Sequence, residues 1–119
     1  MNSLFLHGLD SSGYGTKGKY FAEHFPDMLR PDFDGDLAAR MASLRRIVDG
    51  KSDLIVVGSS FGGLMGACLA LEQPQLIRRL IMLAPALNFS EYRPPETKIA
   101  TEAILMIGKH DTVTPPDIV

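Results

Sequence analysis

The sequence predicts an α/β fold: a mostly parallel sheet flanked by helices on both faces, in a three-layer αβα arrangement. Apolar runs at 3–7 (SLFLH), 53–58 (DLIVVG), 78–85 (RRLIMLAP) and 102–108 (EAILMIG) lack polar alternation. Strands covered on both faces read this way. Helix-period segments separate several of these runs, and alternation of strand with helix implies parallel pairing through right-handed crossovers. Glycine, serine and proline cluster at the junctions, where turns are needed.

The elements follow in order. Ser3 to His7 forms a strand stopped by Gly8, and the loop GLDSSGYGTKG leads to KYFAEHF, whose Tyr20, Phe21, His24 and Phe25 recur at helical spacing before Pro26. A weakly signalled strand is expected near Met28 to Pro31. DGDLAARMASLRRIVDG then reads as an amphipathic helix, with Leu37, Met41, Leu44 and Val48 on one face, Asp36 as its cap and Gly50 at its exit. The run at 53–58 enters a helix from about Ser60 to Glu72, ended by Pro74. Two further buried strands are expected at 78–85 and 102–108, separated by an irregular excursion around Pro94 and Pro95.

Composition bounds the function. At 119 residues, with 45% hydrophobic and 22% charged residues, the chain fits one globular domain. Its net charge of -2 and the lack of a basic cluster beyond two arginine pairs argue against nucleic acid as a partner. The single Cys68 allows no intrachain disulfide, and no Cys/His spacing suits zinc, so neither a metal nor an organic cofactor is expected. No segment reads as a secretory signal or membrane span. A reducing, cytoplasmic setting is the expectation.

The chemistry is expected at the carboxyl ends of the strands. Gly58-Ser59-Ser60-Phe61-Gly62 is a GxSxG pentapeptide between a strong strand and a Gly/Ala-rich helix, the context of a nucleophile elbow. Such a turn holds its central serine in strained backbone geometry, with glycines where a Cβ would meet backbone. Ser60 is therefore the candidate nucleophile. A serine and glycine turn that merely joins strand to helix is the plain alternative.

LFLHG at 4–8 ends another buried strand in His-Gly, and with the pentapeptide it resembles the α/β-hydrolase superfamily, in its compact bacterial esterase-like branch. The resemblance implies that the backbone amides of Leu9 and Phe61 form an oxyanion hole. It also implies that His7 and Gly8 order the loop. The segment LMIGKHDTVTPP resembles the family's acid segment, which would make Asp111 the triad acid, in the expected chain order of Ser60 before Asp111. The family's base follows one further strand, yet no histidine follows Asp111 here. His110 abuts the acid and His24 belongs to the first helix, so neither suits the role. By this resemblance residues 1–119 form a single hydrolase-like domain, incomplete at its C-terminal side, and the exposed edge of a truncated sheet would favour homo-oligomers.

The expected activity is a serine hydrolase acting on small carboxylic esters or thioesters. Two alternatives remain open. One is a non-catalytic or truncated hydrolase-like domain acting in binding or assembly, with 84–100 as contact surface rather than acyl pocket. The other is a dinucleotide-binding domain, since Gly13-Tyr14-Gly15-Thr16-Lys17-Gly18 matches GxGxxG with Asp32 and Asp34 downstream. Against it, LDSS separates the fingerprint from its strand.

Overall fold

The computed structural model describes residues 2–9, 12–88 and 101–107. Four parallel strands form one sheet in the order β1 (Asn2–Leu6), β2 (Leu54–Ser59), β3 (Ile77–Leu83), β4 (Glu102–Met106). The strand expected near Met28 to Pro31 is a single parallel bridge from Leu29 to Leu4, on the side of β1 away from β2. Phe5 and Leu29 mediate it, through Phe5 N–H to Leu29 O and Leu29 N–H to Ser3 O.

Chain direction and crossover handedness set the layers. From β1 the chain passes through α1 (Thr16–His24) to Leu29, while from β2 it passes through α3 (Phe61–Glu72) to β3 on the opposite side. Right-handed connections running in opposite directions must lie on opposite faces. α1 accordingly covers one face, where Phe21 stacks on Phe5 beside Met28 and Val57. α2 (Leu37–Val48), which crosses back from Leu29 to β2, shares the other face with α3 over Leu4, Leu6, Val56 and Leu80. The two connections diverge above β1 and β2. In open α/β sheets such a switch point leaves a crevice at the carboxyl ends of the strands.

Sequence accounts for the helices. The Asp36 carboxylate accepts from Ala39 N–H at 2.9 Å, capping α2, and Met41, Leu44 and Val48 are buried beneath it. Such a cap stabilises by about 1 kcal/mol. The exit passes Gly50 at φ +76°, a left-handed conformation that favours glycine. α3 is buried nearly all round, as a helix without a polar face must be. Its glycines permit close packing: a Cβ on Gly66 would stand 2.8 Å from Leu80 Cδ1, and one on Gly63 2.7 Å from Pro85 Cβ. Leu64, Met65 and Leu69 are fully buried below, each stabilising by roughly 1.5–3 kcal/mol.

The run at 102–108 departs from expectation. It forms β4 in parallel register with β3, but every residue of the strand is exposed, with Ile104 at 46% and Met106 at 59%. Hydrophobicity marks this strand for burial, but as the edge strand among the described residues it gains cover only from what packs upon it. Arg79 and Glu102 pair across its start at 3.2 Å. No helix among the described residues is long and apolar enough to cross a membrane.

Candidate active site

Ser60 sits where β2 turns into α3, with φ +54° and ψ −115°. This is high-energy backbone for an L-residue, costing on the order of 1–3 kcal/mol and persisting only where neighbours enforce it. Here they do. Ser60 N–H donates to Leu83 O at 2.9 Å, and Ser60 O accepts from Gly63, Leu64 and Ala86 N–H at 3.0, 3.2 and 2.9 Å. The corner is thus tied both to its own helix and to the end of β3.

The glycines on either side are required by backbone, as the pentapeptide predicts. A Cβ on Gly58 would lie 2.3 Å from Gly62 O, and one on Gly62 only 1.9 Å from Leu6 O. The second collision shows how tightly α3 begins against the end of β1. Among the described residues only Asp53 and Ala84 share a positive φ with Ser60 outside glycine. Of the three, Ser60 alone carries a hydroxyl.

The Gly8 segment reaches the same corner. A Cβ placed on Gly8 would meet Ser60 Cβ at 3.4 Å and Ser60 Oγ at 3.9 Å, so the loop stem lies beside the serine side chain. Parallel pairing of Leu6 with Gly58 produces this juxtaposition, because it ends both strands at one level. Leu9 follows and is 44% exposed.

His7 is 1% exposed and uses both ring nitrogens. Phe33 N–H donates to Nε2 at 2.8 Å, so the ring proton belongs on Nδ1, which donates to Gly8 O at 2.6 Å. A ring whose lone pair is engaged in this way is not placed to accept a proton from Ser60. Its bond has a geometric consequence for the next residue. In a trans peptide the C=O and the following N–H point in opposite directions. By holding Gly8 O, His7 turns the Leu9 N–H away from its own ring.

The other candidate residues fall outside this cluster. His24 is exposed on α1, its ring 4.3 Å from that of Tyr20. Asp111 and His110 lie outside the described residues, as do Phe89, Tyr92 and the double proline. No group of three or more His, Cys, Asp or Glu side chains capable of holding a metal occurs among the described residues. Burial pushes the Cys68 thiol above its ordinary value, with the charge of Glu72 adding to the effect. It is not a reactive thiolate.

The glycine-rich loop at 13–18 has a packing role. Gly13 N–H donates to Asp32 Oδ1 at 2.6 Å, and Arg30 Nη1 donates to Gly13 O at 2.8 Å and Gly18 O at 3.3 Å. A Cβ on Gly18 would lie 2.1 Å from Gly13 O, and one on Gly13 2.2 Å from Arg30 O. In a dinucleotide site the acid would face a ribose and the amide a pyrophosphate. Here Asp32 and Gly13 bond each other. These anchors, 19 residues apart, escape a reading of local motifs, although Asp32 and the glycines both stand out in the sequence.

A second arginine braces the serine's neighbour. Arg40 is 4% exposed, donates from Nε to Gly35 O at 2.9 Å and lies over the Phe61 ring at 5.3 Å, while its Nη1 is buried without a partner. No sequence pattern marks it, since an arginine on an amphipathic helix ordinarily reads as solvated.

Comparisons with known proteins agree with this architecture. The family profile Hydrolase_4, described as serine aminopeptidase, S33, matches residues 2–113. No curated protein matches the sequence. Among solved structures, a hydrolase of the alpha/beta superfamily from Xanthomonas campestris superposes with TM-score 0.81 at 23% identity, covering 98% of this chain and 74% of its own. A YdeN-like hydrolase from Pectobacterium atrosepticum gives 0.78 at 17%, covering 98% and 67%. Est1E from Butyrivibrio proteoclasticus gives 0.77 at 16%, covering 98% and 70%.

Proposed function

The chain belongs to the serine aminopeptidase S33 family of α/β hydrolases, and from that premise we propose that it cleaves small carboxylic esters or thioesters through an acyl-enzyme on Ser60. The observation carrying the proposal is the strained Ser60 at a strand-to-helix corner with Gly8 beside its side chain. Strain on a nucleophilic residue at a switch-point crevice is characteristic of functional sites.

In this reading Ser60 Oγ attacks the carbonyl carbon and its proton passes to a base. The carbonyl oxygen becomes an oxyanion held by the amides of Leu9 and Phe61. Collapse breaks the bond to the leaving oxygen or sulfur, which takes up that proton, and water then releases the acid by the same sequence. The helix dipole of α3 adds partial positive charge at its N-terminus. One oxyanion donor contributes on the order of 2.7–4 kcal/mol to such a barrier. His7 and Gly8 set the peptide plane that carries the Leu9 donor, and Gly58 and Gly62 make room for the corner. Asp111 is assigned the acid that would orient a histidine base, a residue that none of the three histidines in residues 1–119 supplies by its position. His7, with its lone pair engaged, does not fit the base role. An alkoxide or thiolate leaves with less help from an acid than an amine does, which favours ester or thioester over amide.

Without an imidazole a serine is a weak nucleophile, and loss of the base in one protease costs about 10⁶-fold in turnover. The test therefore reads the nucleophile itself: prolonged exposure to a fluorophosphonate, with peptide mapping, is expected to modify Ser60. Modification elsewhere, or retained in Ser60→Ala, would refute the assignment.

The exposure of every β4 residue supports a second reading, in which the domain acts by assembly. Apolar edge strands invite pairing with another chain. Sedimentation of the protein beside an Ile104→Lys variant tests it, because an assembly through β4 must weaken in the variant.

A further inference from the structure

We infer that Arg30 and Asp32, on the segment following the Leu29 bridge, are positioning residues that hold the far stem of the loop carrying the Leu9 amide, while Phe33 on the same segment holds its near stem through His7. The inference rests on the oxyanion assignment of Leu9 made above.

One short stretch of chain grips the loop twice. At the near end, Phe33 N–H occupies His7 Nε2, fixing the tautomer whose Nδ1–H holds Gly8 O. At the far end, Asp32 Oδ1 takes Gly13 N–H while Arg30 Nη1 takes Gly13 O and Gly18 O. The stretch is itself fastened to the sheet, since Leu29 bonds β1 through Ser3 and Phe5. Gly8 and Gly13, the two stems of the loop, are thereby referred to the strand that ends beside Ser60. The Arg30 guanidinium also lies 5.2 Å from the Tyr14 ring centroid, a cation–π contact holding the same loop.

The arrangement divides the work. His7 sets the rotation of the Gly8–Leu9 peptide, which a bond at one end alone leaves free to swing about the Gly8 stem. The Asp32 bond to Gly13 N–H holds the other stem. An amide donor is effective only when preorganised at the site of developing charge, and misplacement by about 1 Å can cost on the order of 100-fold. Fixing the loop at both stems supplies such preorganisation before any substrate arrives.

Asparagine retains the acceptor oxygen that Gly13 needs, and alanine does not, so the pair separates positioning from charge. Backbone ¹⁵N relaxation at Leu9 is to be measured in the wild type, Asp32→Asn and Asp32→Ala. The expected order parameter is about 0.85 in the first two and below about 0.6 in Asp32→Ala, with β2 and α3 amides unchanged. An unchanged Leu9 in Asp32→Ala overturns the inference. So does equal loosening in Asp32→Asn, or loosening spread uniformly over β2 and α3. Should Asp32→Ala fail to fold, Arg30→Gln, which loses the bonds to Gly13 O and Gly18 O, is read by the same criteria. Fluorophosphonate modification reports separately: an unmodified wild type sinks the hydrolase reading while relaxation still decides the anchoring. If the wild type is modified, Asp32→Ala is expected to react about tenfold more slowly and Asp32→Asn at the wild-type rate.

Discussion

Two glycine-rich turns lie at the carboxyl end of this sheet, 58–63 and 13–18. In both, a methyl group on a key glycine would collide with backbone, Gly62 with Leu6 O at 1.9 Å and Gly18 with Gly13 O at 2.1 Å. In sequence both carry a glycine motif, although LDSS separates the second from its strand. The first, however, places its strain on a serine and wraps that serine in hydrogen bonds from β3 and α3. The second directs its amide and carbonyl to Asp32 and Arg30. Glycine spacing reports close approach of backbone, and the partner approached decides whether the turn is a site or a support.

Substitutions separate the two. The largest effect is expected for Gly62→Ala, whose Cβ must displace the end of β1 from the start of α3. A loss of about 3 kcal/mol or more, read as a fall in thermal midpoint of roughly 10 °C or more, is predicted. Tolerance of alanine there would mean that the corner is not packed as described. Gly18→Ala is expected to cost about 2 kcal/mol, with circular dichroism showing a fold that persists while labelling of Ser60 slows. If this variant unfolded as completely as Gly62→Ala, the second turn would belong to the core and the contrast would fail.

Gly8→Ala sharpens the comparison further. Its Cβ would stand at 3.4 Å from Ser60 Cβ, an ordinary contact, so the midpoint should move by no more than the equivalent of about 1 kcal/mol. Labelling should nevertheless fall about tenfold, because the new methyl group crowds the serine side chain. The smallest effect belongs to a control on the covered face. Arg45 and Glu72 join α2 to α3 at 2.6 Å on the surface, and Glu72→Gln should cost about 0–1 kcal/mol in chemical denaturation. The hydrogen bond from Arg45 holds the Glu72 carboxyl below its ordinary value, opposed by partial burial. Its contribution is therefore fully present above the unfolded value near pH 4.3 and is lost as pH falls through the lower folded value. The wild type and Glu72→Gln should converge in stability at acid pH.

What could be read from the sequence was local. The elbow announces itself because strand, serine, glycines and Gly/Ala-rich helix are contiguous, and the α2 cap because Asp36 and the apolar face of Leu37 to Val48 share a few turns. The loop anchors were hidden by distance along the chain: nothing near Gly13 names Asp32 as its partner. The His7 tautomer depends on the main-chain amide of Phe33, a group every residue but proline offers. The exposure of β4 was misread because an apolar strand states what it can bury, and neighbours decide whether it does. The bridge at Leu29 is too short to leave a periodic signal.

The most direct measurement is intact-mass and peptide analysis after exposure of the wild type and Ser60→Ala to a fluorophosphonate. The account predicts one phosphonyl group, located on Ser60, and none on the alanine variant. A wild type that stays unmodified, or an alanine variant that still takes up the group, would contradict the claim that the strained corner presents a nucleophile.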